Sequence, residues 1–191
     1  MAGLDDSSIT SVAFSETIRL RASDQFERDF KAGAAGELFV FELLSRLDPP
    51  LPTFTRDNWQ IYSDMTAWHG RETADITYDD QDGVLTSLFI DKGYLRDDVW
   101  RGKTPRFYIE VKSSTADNRT PFFMSKHQYR RMQEMSNGEI RSDNMDMVYV
   151  IFRVYILGQQ CMRMKVYVDP EMMRVREELL FTAEGWSVVP A

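Results

Sequence analysis

The stretch Phe107-Tyr108-Ile109-Glu110-Val111-Lys112-Ser113-Ser114 alternates apolar with polar side chains. At the two-residue period of a strand, Tyr108, Glu110 and Lys112 fall on one side and Phe107, Ile109 and Val111 on the other. The apolar side predicts a strand anchored in a core, and that anchoring holds the polar side rigid. A carboxylate and an ammonium two residues apart then come within reach of one ligand. The pairing suits chemistry on a phosphodiester, where a carboxylate holds a divalent cation and an ammonium steadies negative charge. A half-exposed strand with a cross-strand ion pair has the same pattern, so the residues around it have to decide.

With 191 residues and 43% hydrophobic content, the chain is long enough for one well-buried domain. Twelve Phe, eight Tyr and four Trp supply bulky core material, and the eleven Met read as core filler. No apolar run approaches the length of a membrane span, and no basic segment followed by an apolar run opens the chain. The lone Cys161 agrees with a reducing compartment, and one Cys with two scattered His excludes a Cys/His zinc site. The expectation is a soluble intracellular protein of the nucleus or cytoplasm. The net charge of -7 argues against an indiscriminate nucleic-acid binder. Its distribution is uneven, however. From Val99 to Arg131 there are eight basic residues against two acidic ones, and this basic segment brackets the Glu-Val-Lys strand.

Taken in order, residues 1–30 read as an N-terminal arm, in which Ser23-Asp24 caps a short helix bearing Phe26 and Phe30. Residues 31–191 form the domain. Gly33-Ala34-Ala35-Gly36-Glu37 leads into a helix whose Val40, Leu43, Leu44 and Leu47 have helical spacing and which ends before Pro49-Pro50. Glu37 lies on its inward stripe, as a functional acid or as a first-turn Glu favoured by the helix dipole. The small residues before it allow close approach to a neighbouring backbone. Strands follow at Asn58 to Ser63 and at Glu72 to Tyr78, with Asp75 in the middle of the second against its propensity. His69 reads as a loop residue. Asp79 to Gly83 reads as a solvated turn, Val84 to Ile90 as a further strand, and Asp91 to Pro105 as a protruding polar connection.

After the Glu-Val-Lys strand, Ser125 and Gln128 form a capping box that opens a helix. The free N–H groups of that helix start lie beside Lys126, His127 and Arg130, which makes it a natural phosphate site. Asp146 to Leu157 is the most apolar run and reads as a central buried strand, with Met162 to Val168 as its hairpin partner. Asp169-Pro170-Glu171 starts a last helix running to about Leu180, and the tail near Trp186 reads as one more short strand. The order predicts a mixed central sheet flanked by helices, an α/β fold.

Several of these pieces, taken as an ordered set, resemble a known family. They are Gly33-x-x-Gly36-Glu37 opening a helix, Ala74-Asp75-Ile76 on a strand, Ile109-Glu110-Val111-Lys112-Ser113-Ser114 on the next core strand, Phe123-x-Ser125 starting a helix, and the strand Tyr149-Val150-Ile151. Together they look like the C-terminal domain of NO VEIN proteins, whose core is similar to the PD-(D/E)XK restriction-endonuclease-like superfamily. The resemblance implies a restriction-endonuclease-like sheet with Asp75 and Glu110 as metal-binding acids. It implies Mg2+ or Mn2+ as the metal, the carbonyl of Val111 in its shell, Lys112 as the motif lysine and Glu37 as the helical acid. It also places Ser113, Ser125 and Gln128 near the phosphate path. Ala74 stands where the family motif carries Pro, and the long interval from Asp75 to Glu110 requires an inserted strand and loop. The function expected is metal-dependent hydrolysis of phosphodiester bonds in DNA or RNA, away from membranes and within a larger multidomain protein. The alternative is a catalytically inactive module of the same type that binds nucleic acid or protein.

Overall fold

In the computed structural model, residues 31–47, 53–54, 74–136 and 147–182 are described. A helix α1 spans 31–44, and a mixed sheet runs in the order β1-β2-β3-β4-β5. The strands are β1 (Thr53–Phe54), β2 (Ile76–Asp79), β3 (Arg106–Ser113), β4 (Met147–Tyr155) and β5 (Arg163–Val168). All neighbouring pairs are antiparallel except the long central pair β3–β4, which is parallel. Four further helices are α2 (Val84–Asp91), α3 (Asp97–Trp100), α4 (Lys126–Glu134) and α5 (Pro170–Val175). The α/β expectation therefore holds. Among the described residues no helix is long and apolar enough to cross a membrane.

The alternation expected in β3 sorts the sheet into two faces. Phe107, Ile109 and Val111 join Ile76, Tyr78, Val148, Val150, Phe152 and Val154 in the larger core, which Val40 and Leu44 of α1 and Leu85 and Phe89 of α2 cover. Tyr149, Ile151 and Tyr167 face the other way, against Met132 of α4 and the half-buried Tyr108, Phe122 and Tyr129. Of the nine residues of α4 only Gln128 and Met132 are buried, one helical turn apart, so a single stripe meets the sheet. The capping box is present: Ser125 Oγ accepts from Gln128 N at 3.2 Å, and Gln128 Oε1 accepts from Ser125 N at 2.9 Å.

Several expectations need correction. Val84 to Ile90 is the helix α2 and not a strand. Its buried Leu85 and Phe89 are four apart, and the Asp80 carboxylate accepts from Leu85 N at 3.1 Å and from Thr86 N and Oγ1 at 2.7 and 2.6 Å. That carboxylate satisfies the donors of the first turn, which outweighs the β-leaning composition. Asp80 is accordingly buried, in a turn expected to be solvated. The connection after α2 does not simply protrude, because Leu95 and Trp100 fold into the larger core. Gly33 and Gly36 lie within α1, which is already helical at residue 31, so Glu37 is not a first-turn residue. Asp75 immediately precedes β2 instead of sitting in mid-strand, and α5 stops at Val175, well before Leu180. The expected helix after Ser23, the strand at 58–63, His69 and the strand near Trp186 lie outside the described residues.

Candidate functional site

Asp75 and Glu110 come together through the β2–β3 ladder. Ile76 pairs with Ile109, so continuing the antiparallel register by one position sets Asp75 opposite Glu110. Both are buried, at 1% and 0% exposure. Asp75 Oδ2 accepts from the Val111 backbone N–H at 2.9 Å, which ties the residue before β2 to β3. A strand residue presents its N–H and C=O to the same neighbour, so the Val111 carbonyl faces that side as well. Glu110 Oε2 accepts from Gln128 Nε2 at 2.5 Å and lies 3.6 Å from Lys112 Nζ. Lys112 Nζ in turn donates to Gln128 Oε1 at 3.0 Å. One Gln therefore caps its own helix, grips the buried carboxylate and positions the ammonium.

Tyr149 stands beside this group, one strand over on β4. Its hydroxyl is buried and has no hydrogen-bond partner among the described residues. Burial first, then the charges of Glu110 and Asp75, push its ionisation far above the ordinary tyrosine range.

The group borders a cleft of about 880 Å³ at the carboxyl ends of the parallel strands β3 and β4. Glu37, Val111, Lys112, Ser113, Phe122 and Arg153 are among the residues lining it. This is where ligands sit in open α/β sheets. The loop after β3 is tied to the end of β4 by Ser114 N donating to Val154 O and Leu157 N to Ser114 O, both at 3.0 Å. Gly36 of α1 forms part of the cleft's foundation, because a Cβ there would meet Ser113 Cβ at 2.5 Å, and Ser113 Oγ donates to the Ala32 carbonyl at 2.7 Å. The small residues before Glu37 do allow the close approach expected of them.

Glu37 is buried at 4% exposure and lines the cleft with Lys112, whereas Asp75 and Glu110 are buried outside its lining. Ser125, Lys126 and Arg130 are exposed at the start and along the outer face of α4, outside the cleft lining. Among the described residues no three His, Cys, Asp or Glu side chains form a metal-holding cluster. Gln128, expected from the sequence as a cap and near the phosphate path, is also the partner of Glu110, and it shares its buried stripe with Met132. Two residues of this region carry no functional expectation from the sequence: Tyr149, within an aromatic strand, and Arg153, whose charge inside the most apolar run is the signal that could have found it.

Comparison with protein-family models, with curated proteins and with solved structures finds no match. The fold and the arrangement of these side chains are what speak to function.

Proposed function

We propose that this chain is a metal-dependent nuclease-like domain with a restriction-endonuclease-like fold, hydrolysing phosphodiester bonds in DNA or RNA. The observation that carries the reading is the pair of buried carboxylates, Asp75 and Glu110, on neighbouring strands with Lys112 on the same face. Mg2+ is typically held through one or two protein carboxylates, with water and substrate phosphate completing its shell, and this donor set fits that need. Asp75, Glu110 and the Val111 carbonyl would hold the ion, which when bound supplies Lewis acidity and an activated water. The chain's own contribution is positioning. Gln128 keeps the Lys112 ammonium beside Glu110, where it offsets charge that accumulates on a phosphate in transit. Glu37 is placed in the cleft to orient water or accept a proton.

The test combines calorimetry with cleavage. Mn2+ should bind the full chain, and Asp75→Asn and Glu110→Gln should each abolish metal binding and lower cleavage by about a hundredfold or more. Cleavage that survives both substitutions would rule the reading out.

One observation favours a second reading, a binding module without catalysis. Glu110 Oε2 is already engaged by Gln128 and Lys112, and Asp75 Oδ2 by a backbone N–H. Such a module binds nucleic acid or protein with no metal present, and its affinity survives chelation by EDTA.

A further inference from the structure

Arg153 lies near the carboxyl end of β4 with only 2% of its surface exposed. A buried guanidinium normally ends on a carboxylate, since a buried charge without a counter-charge is costly. Among the described residues Arg153 has none. Its Nη2 donates to the Thr120 carbonyl at 3.2 Å, its Cζ sits 5.4 Å from the centre of the Phe122 ring, and its Nε donates to nothing. Desolvation lowers its proton affinity, which Tyr167 partly restores, yet a guanidinium remains cationic in proteins.

The surroundings turn this uncompensated cation toward a ligand. Arg153 lines the cleft at the carboxyl end of β3–β4, and the register sets Lys112 directly beside it. Of the charged side chains lining the cleft, Lys31, Lys112 and Arg153 are basic and only Glu37 is acidic. The Lys112 charge is answered by Glu110 at 3.6 Å, whereas Arg153 meets no carboxylate among the described residues. The Phe122 ring helps hold the guanidinium in place, and a planar fork is the group best matched to two oxygens of one phosphate. Ser113, Ser114 and Thr115 add hydroxyls to the same wall.

We propose that Arg153 is the anion receptor of this cleft and that the anion it takes is a backbone phosphate of a polynucleotide. The polynucleotide rests on the phosphodiester reading above, while the phosphate seat stands on the environment of Arg153 alone. The seat lies one strand away from the carboxylates, so it holds a phosphate neighbouring the one positioned for attack.

The experiment uses the metal-free full chain, with the side-chain Nε–Hε signal of Arg153 followed by NMR. Inorganic phosphate should shift that signal saturably, and calorimetry, which does not depend on the Arg153 signal, should show Arg153→Met binding phosphate at least about tenfold more weakly. Arg153→Lys, which keeps the charge but loses the fork, should weaken it as well. Arg153→Lys also serves as the informative variant if Arg153→Met does not fold. A short single-stranded oligonucleotide should bind more tightly than inorganic phosphate, with the same dependence on Arg153. No saturable shift, or undiminished wild-type affinity in both variants, overturns the seat. An oligonucleotide that binds no better than phosphate overturns the polynucleotide and leaves a small phosphate ester as the occupant. Neither metal nor turnover is needed, so the seat and the cleavage reading can fail separately.

Discussion

Gln128 carries more of the site than its chemistry suggests. Its amide donates to Glu110 while its carbonyl accepts from both Lys112 and the Ser125 backbone. Gln128→Ala removes the donor that answers a fully buried carboxylate, and should cost about 1–3 kcal/mol in urea unfolding. A Gln128→Ala/Glu110→Gln cycle should show coupling between the two, as residues sharing one network do. Tyr149 gives a pH signature. Its phenol is held protonated in the folded chain by burial and by Glu110 and Asp75, whereas in the unfolded chain it ionises near pH ~10. The folded-state value is the raised one, so this contribution to stability is complete below about pH 10 and is lost as pH rises above it. The loss approaches about 1.4 kcal/mol per pH unit. Tyr149→Phe should remove that part of the slope in unfolding curves measured on either side of about pH 10, and should raise stability near neutrality, because the hydroxyl it removes is buried with no partner among the described residues.

Among the elements, α1 and its seat on β3 make the sharpest prediction. Gly33 and Gly36 both lie within the helix, where Ala is favoured over Gly by about 1 kcal/mol. A Cβ at Gly33 meets nothing within 4 Å, but at Gly36 it runs into Ser113. Gly33→Ala should therefore raise the melting temperature. Gly36→Ala should lower it, because about 1–3 kcal/mol of overpacking outweighs the gain in helix propensity, and the hydrogen bond from Ser113 to Ala32 is disturbed as well. α2 shows the opposite relation between residue and element. Its Val, Leu, Phe and Ile would suit a strand, yet the buried Asp80 carboxylate, answering two backbone N–H groups and a hydroxyl, settles it as a helix.

At the scale of the whole molecule, the net charge of -7 coexists with a cleft where, among the described lining residues, Lys31, Lys112 and Arg153 outnumber the single acid Glu37. If phosphate contacts dominate, affinity for a single strand should fall as salt rises, with a log–log slope of about -0.7 per phosphate engaged. Fluorescence anisotropy at several salt concentrations measures it. Arg153→Met should reduce the slope by about one contact, and a flat salt dependence would show that phosphates are not what the cleft holds. The parallel β3–β4 pair is what makes such a cleft possible, since it brings two strand ends and the loop between β3 and α4 to one place.

The alternation of Phe107 to Lys112, the apolar run of β4, the β4–β5 hairpin and the capping box of α4 were legible in the sequence because each is a local pattern that a strand period or a helix cap dictates. The pairing of Asp75 with Glu110 was inferred there from a resemblance, and the register of β2 on β3 supplies its geometry. What only the tertiary structure decided depends on contacts between residues far apart in the chain. Gln128 finds Glu110 because α4 lies across β3, and α2 is a helix because Asp80 is turned back onto its first N–H groups. Arg153 meets Lys112 and no carboxylate among the described residues because β4 carries it to the cleft wall. Periodicity records which way a side chain faces; only packing determines which group it meets.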